Sequence, residues 1–352
     1  MQFTLLVVTP MRRLSVSRSI ALPMLLGFAG ILTMVGCTDA ATEPAVTPTP
    51  SGPDNAARLA AATITAQNNA LCSVIQPFYW EIGDGTGRLG GASVNKPGNS
   101  TTFAAQTPMS IASASKWIYG AYVAERRGGA LTAEDIQFLT FRSGYTNFGS
   151  CDTDDTVESC VARGTNGTRT LLTVNRFLYG GGHMQKHASL AAPAMNLSAM
   201  ANTALATEVR RVLGSEIGLS YTQPQLAGGG RSTAADYAIF LRKILNRQLR
   251  IGALLGSNAT CTNPATCATA LGTPIGGDIS WGYSIGHWVE SDPATGDGAF
   301  SSAGGLGFYP WINADKTLYG VLARVAVGSG AGGESAQCGA RIRRAWVTGI
   351  AL

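Results

Sequence analysis

Ser113 and Lys116 stand three residues apart in the run IASASKWIYGAYV, residues 111–123, just ahead of an apolar helical face made by Trp117, Ile118, Ala121 and Val123. A three-residue step at the start of a helix puts both side chains on one face, within reach of each other. A serine hydroxyl is a weak nucleophile until a neighbour takes its proton. A lysine can be that neighbour when burial and the positive helix N-terminus favour its neutral form. The same helix end favours negative charge developing on the serine oxygen. Ser-x-x-Lys recurs at Ser93 and Lys96, but Pro97 follows and Gly90, Gly91 and Gly98 surround it, so no helix can carry that pair. Context selects Ser113 as nucleophile and Lys116 as base.

Other short patterns carry less. Gly282-Tyr-Ser-Ile-Gly286 spells GxSxG, but a nucleophile elbow needs a strand-to-helix turn followed by an acid and a distant histidine; here His287 is adjacent, and a core strand is the better reading. His183 and His187 have helical metal-ligand spacing without the glutamate of HExxH, and glycines at 180–182 precede them. We expect no metal there and expect a histidine, His183, to line a pocket. The acidic run Asp152, Asp154, Asp155 and Glu158 lacks an EF-hand's ligand spacing and reads as a solvated loop. No metal or organic cofactor is implied.

Elements that could position the pair follow from periodicity and end signals. A helical Ala-rich stretch runs from about Ala56 to Cys72, and residues 77–83 form a first strand. A helix over 117–127 stops at Gly128-Gly129. Thr132-x-x-Asp135 is a capping-box pattern opening a helix through Leu139, and Thr233-x-x-Asp236 opens another with Tyr237, Phe240, Leu241 and Ile244 at helical spacing. Strand-like segments occupy 281–290, 307–314 and 317–325, and a last helix runs from Ser335 to Val347. This order predicts an α/β (α+β) fold: an antiparallel sheet of about five strands flanked by N- and C-terminal helices, with an all-helical insertion over about 130–275.

The N-terminus reads as an export signal. Arg12, Arg13 and Arg18 precede the apolar run Ile20–Val35, which is shorter than the roughly 20 residues of a spanning helix. Gly36-Cys37 then resembles a bacterial lipoprotein site, with Cys37 lipidated; Met34 stands where that motif prefers Leu, and cleavage near Ala40 is the other reading. Residues 1–36 are thus a signal peptide, 37–55 a Pro/Thr-rich tether and 56–352 the domain, placed in the periplasm or on the outer membrane of a bacterium, with a lipid anchor as its membrane contact. The formal charge of +5 falls to +2 without the leader arginines, so no basic footprint for nucleic acid survives. Besides Cys37 there are six cysteines, an even number suited to an oxidising compartment. Cys151 with Cys160, and Cys261 with Cys267, read as local staples; Cys72 and Cys338 would tie the start of the domain to its end.

IASASKWIYGAYV resembles the Ser-x-x-Lys segment of the serine β-lactamase and penicillin-binding-protein family, in its class C and esterase branch. LTFRSGY at 139–145, AGGGRSTAADYAIFLRKIL at 227–245 and SAGGLGFYPW at 302–311 are similar to later segments of that branch, in the correct order, so the resemblance spans roughly residues 60–350. It implies a proton-shuttling tyrosine opposite the serine, usually in Tyr-x-Asn. Tyr145 and Asn147 match the letters, but Tyr179 falls where that segment is expected, with Gly181 in the Asn position. Chain order favours Tyr179. The third motif aligns with Ser302, Ala303 and Gly304, which implies an oxyanion hole from the backbone N–H groups of Ser113 and Gly305 and substrate contacts at Ser302 and Gly304. The family's cation is replaced there by Ser302.

The resulting expectation is a serine hydrolase forming an acyl-enzyme on Ser113, acting on a small ester, an amide or a peptidoglycan-like D-amino acid peptide. The alternative is a catalytically inactive, surface-tethered binding protein that retains the penicillin-recognising fold.

Overall fold

The computed structural model describes residues 52–326, 328 and 330–352. The apolar run Ile20–Val35, Cys37 and most of the tether lie outside them.

Among the described residues, eight strands form one antiparallel sheet: β1 Phe78–Gly83, β2 Arg88–Val94, β3 Thr260–Cys261, β4 Gly282–Tyr283, β5 Trp288–Val289, β6 Phe300–Ser301, β7 Tyr309–Ile312 and β8 Tyr319–Ala323. Their spatial order is β2-β1-β8-β7-β6-β5-β4-β3. The sheet is therefore wider than the five strands expected. The segment read as one strand over 281–290 is a tight hairpin, in which Trp288 pairs with Tyr283 around the turn at Ile285-Gly286.

Every residue of β1, β7 and β8 is buried, so both sheet faces are covered. Helix α1, Asn55–Asn68, and the last helix pack together on one face. On the other lies a helix over Ala234–Leu245, whose Arg242 donates to the Tyr319 hydroxyl. The one carboxylate inside β1, Glu81, accepts hydrogen bonds from the Tyr79 and Tyr319 hydroxyls at 2.7 and 3.1 Å, which makes its burial tolerable. Cys72 and Cys338 are bonded and join the end of the first helical stretch to the last helix; Cys151–Cys160 and Cys261–Cys267 are bonded as well. Three disulfides fit an oxidising compartment. Among the described residues no helix is long and apolar enough to cross a membrane.

The helix that carries Lys116, α2 Ser115–Arg126, is buried from Ser115 to Ala124 and runs through the core rather than over it. Glycine makes this possible at two points. A Cβ on Gly120 would sit 2.6 Å from the Ile285 carbonyl, and one on Gly286 (φ 74°) 2.4 Å from the Lys116 carbonyl, so the β4–β5 turn presses directly on α2. The second glycine of the GxSxG string, Gly286, is there for this close approach. Ser284 is buried and donates to the Ser257 carbonyl.

Between α2 and β3 the chain is largely helical: α3 Ala133–Leu139, α4 Gly182–Ser189, α5 Asn202–Leu213 and α6 Ala234–Leu245, with shorter turns between. It is not all-helical as expected. Gly230–Ser232 pairs with both Met109–Ser110 and Ser220–Tyr221, and Phe177–Leu178 pairs parallel with Ala270–Gly272. The Thr132 capping box forms as predicted, and its Asp135 then does more: it receives Arg127 at 2.7 and 2.8 Å and His187 at 2.9 Å. Burial alone would raise the Asp135 pKa, but these hydrogen bonds hold it well below the usual carboxylate range. Asp135→Ala is expected to cost about 3 kcal/mol in denaturant unfolding at pH 7, because it strands the buried His187 and the half-buried Arg127. A depressed carboxylate contributes stability that is present above the unfolded pKa near 4 and lost on acidification, so the gap between variant and parent should close as pH falls.

Candidate active site

Ser113 lies in a 3-10 turn, Ala112–Ala114, immediately before α2. Ala112 takes φ 42°, a strained value for a residue with a side chain, and it sets the turn that lifts Ser113 out of the helix axis. The turn is clamped from three sides. Ile111 donates its N–H to the Gly230 carbonyl at 3.0 Å, the Tyr237 hydroxyl of α6 donates to the Ala114 carbonyl at 2.8 Å, and the Ser302 hydroxyl donates to the Ser113 carbonyl at 3.1 Å. Ser113 itself is half-buried and opens on a cleft of about 740 Å³.

Lys116 is buried beneath it. Its Nζ is 2.9 Å from Ser113 Oγ and 2.8 Å from the Ala227 carbonyl oxygen. Burial pushes the Lys116 ammonium down to about 7, so a large fraction is the free amine at neutral pH. An amine held against a hydroxyl can accept its proton.

Tyr179, just after the strand Phe177–Leu178, lines the same cleft, with its ring centroid 4.7 Å from Lys116 Nζ. Burial pushes its phenol up to about 12, while the neighbouring Ser113 side chain works the other way. The phenol is therefore protonated at neutral pH and can donate. Tyr145 and Asn147 are elsewhere: Tyr145 stacks on Phe138 at 5.7 Å, and Asn147 Nδ2 donates to Thr170 Oγ1. Tyr179→Phe removes the one phenol at this spot. We expect kcat to fall about a hundredfold with KM little changed, in steady-state ester hydrolysis.

At the third-motif positions the strand edge presses against the serine turn. A Cβ on Gly304 would meet the Ile111 carbonyl at 2.3 Å, so only glycine permits this approach. The Gly304 N–H donates to the Phe308 carbonyl and is not offered to the cleft. Ser302, expected at the substrate, is buried and turns its hydroxyl to the Ser113 backbone. The N–H groups of Ser113 and Gly305 have no hydrogen-bond partner among the described residues, and both residues line the cleft.

His183 does not line the cleft. It is buried, stacked on Phe141, with Nδ1 2.7 Å from Ser143 Oγ and Nε2 3.1 Å from the Leu178 carbonyl. A carbonyl only accepts, so Nε2 carries the proton and Nδ1 accepts from Ser143. Burial lowers its pKa to about 4. It is a neutral strut beneath the Tyr179 strand. His187 faces Asp135 and the Tyr119 hydroxyl instead, so the two histidines do not converge as metal ligands. Asp152 and Asp155 pair with Arg163.

Some contributors have no sequence signature. The Ala227 carbonyl is a backbone atom. The cleft wall over 274–281 hangs on the buried Asn263, whose Nδ2 donates to the Gly277 and Ile279 carbonyls at 2.9 and 3.3 Å. Asn-Pro inside the small Cys261–Cys267 loop is the turn signal that could have flagged it. On another wall, buried Arg343 joins Glu290 and Asp297 at 2.7 Å each and the Tyr309 hydroxyl at 2.9 Å, fixing the last helix, α7 Ala331–Thr348, to the loop beside the cleft.

No protein-family model and no curated protein sequence matches this chain. Solved structures do. A protein from Bacteroides dorei described as a candidate β-lactamase is 20% identical, with TM-score 0.55 over 76% of this chain and 93% of its own. The D-stereospecific amidohydrolase from a Streptomyces species is 12% identical, with TM-score 0.54 over 85% and 100%. A penicillin-binding protein from Bacillus halodurans is 12% identical, with TM-score 0.51 over 76% and 95%. At such identities the likeness is one of fold. This chain carries the fold that these β-lactamase-like, amidohydrolase and penicillin-binding-protein structures share.

Proposed function

We propose that this protein is a serine hydrolase that forms an acyl-enzyme on Ser113 and cleaves an ester or amide. The carrying observation is the neutral-leaning Lys116 amine 2.9 Å from the Ser113 hydroxyl, at the mouth of a cleft. Lys116 takes the hydroxyl proton as Oγ attacks the carbonyl carbon. The oxyanion is received by the N–H groups of Ser113 and Gly305. On collapse the carbon–leaving-group bond breaks, and Tyr179 gives its proton to the departing alcohol or amine while taking up the serine proton from Lys116. Water then attacks the acyl-Ser113 ester and gives a proton to the now neutral Lys116; the acyl–Oγ bond breaks, Lys116 returns that proton to Ser113 Oγ, and the free acid leaves.

Three disulfides support an exported setting, and a lipid on Cys37 would hold the domain at a membrane. The inactive binding protein is the second reading, supported by Gly181 in the Asn position and by the absence of a cation at Ser302. A panel of p-nitrophenyl esters, nitrocefin and D-amino acid amides separates the two. Catalytic turnover of at least one class supports the hydrolase; saturable binding with no turnover across the panel supports the binding protein.

A further inference from the structure

We propose that the cleft continues past Ser113 as a groove along α7 that takes the far end of an extended substrate, with Arg341 and Arg344 receiving a carboxylate roughly four to five peptide units from the scissile bond. The inference rests on the serine hydrolase reading and adds the length and charge of the substrate. The start of α7 sits against the strand edge beside the serine: a Cβ on Gly332 would lie 2.7 Å from the Gly304 carbonyl oxygen and 3.5 Å from the Gly305 nitrogen. From there one flank of the helix lines the cleft through Gly333, Ala336, Gln337 and Ala340 to Arg341 and Arg344. At about 1.5 Å of rise per residue, the two arginines stand roughly 14 and 18 Å along the axis from Gly332. A chain extended at about 3.4 Å per residue covers that span in four to five units. The small side chains on this flank leave room for it, and exposed Gln337 can bond a passing amide.

The charges along the groove give the far end its sign. Arg343 points inward and is committed to Glu290 and Asp297, and Glu334 to Arg324. Arg341 and Arg344 are exposed, line the groove, and make no ion pair or side-chain hydrogen bond among the described residues. Three residues apart on one helix, they are surface neighbours and can close on the two oxygens of one carboxylate. The other carboxylate in the groove, Asp278, is folded over its own loop, its Oδ1 2.5 Å from where a Cβ on Gly276 would stand. A single exposed arginine would be screened to little effect, but two on one groove wall present a double charge to a chain bound beside them.

The test measures kcat/KM in the parent and in Arg341→Gln/Arg344→Gln for two pairs of esters, one for each direction across the scissile bond. The p-nitrophenyl ester of succinyl-triglycine against its acetyl analogue carries the charge on the acyl side. The acetate ester of para-hydroxybenzoyl-triglycine against its C-terminal amide carries it on the leaving-group side. In one of the pairs the parent should prefer the carboxylate about tenfold, chiefly through KM because the contact is remote from the reacting carbonyl. That ratio should fall to about twofold or less in the double variant, with thermal unfolding checking that the variant folds. Turnover with no carboxylate preference in either pair, or a preference that survives the double substitution, would overturn the groove assignment and leave the hydrolase intact. No turnover of any of the four esters, together with a Ser113 that an alkyl fluorophosphonate fails to label, would overturn both.

Discussion

Ser113→Ala lowers ester hydrolysis by about four to six orders of magnitude while leaving thermal unfolding close to the parent's. The size follows from the unit the residue belongs to: removing the nucleophile of a serine hydrolase costs nearly as much as removing the whole catalytic set. Stability should hold because the features fixing the turn are backbone groups, namely the Ile111 N–H on Gly230 and the Ala114 and Ser113 carbonyls under Tyr237 and Ser302. None of these needs the Ser113 hydroxyl. Stopped or steady-state assays on the best ester of the panel, beside a melting curve, check both halves. A variant that keeps more than about a tenth of the parent rate would move the nucleophile elsewhere.

Lys116 gives the second large effect, and it has a pH signature. Only the free amine accepts the serine proton, and burial places its midpoint at about 7. The parent's kcat/KM should therefore rise about tenfold per pH unit below that midpoint and level off above it. Lys116→Ala should lose about a hundred- to ten-thousandfold and lose the inflection with it. Lys116→Arg is the sharper probe: its guanidinium stays protonated, so raising the pH does not restore activity. Stability runs the same way. Between about 7 and the unfolded lysine pKa near 10.4, the unfolded chain holds a proton the native one has released, so the burial of Lys116 becomes less costly as pH rises through that window.

How far the sequence carried the reading depends on whether a feature is local. Ser113 with Lys116, the Thr132 capping box and the short cysteine pairs are decided within a turn or a small loop, and the structure places each as its spacing suggests. The sheet edge is different. Phe300–Ser301 and Gly282–Tyr283 are two-residue strands, too short to show any alternation to read, and each is held between partner strands on both sides. The hairpin at 282–289 read as one strand because its turn, Ile285-Gly286, is set by packing on α2 rather than by a conventional turn sequence. His183 was misplaced for a related reason. Its position beside Tyr179 in sequence suggested the cleft, but on α4 its ring points back to Ser143 and the Leu178 carbonyl. Ser302 likewise sits where a substrate contact was expected, and serves the nucleophile's backbone instead.

The central claim is that Ser113 is an activated, accessible nucleophile, and covalent capture tests it most directly. Parent protein treated with an alkyl fluorophosphonate at pH 8, digested and analysed by mass spectrometry, should carry one phosphonate adduct on the peptide containing Ser113 and Lys116. The adduct should be missing in Ser113→Ala and formed far more slowly at pH 5.5, where Lys116 is protonated. An unmodified Ser113 in folded protein, or the same adduct in Ser113→Ala, would contradict the account.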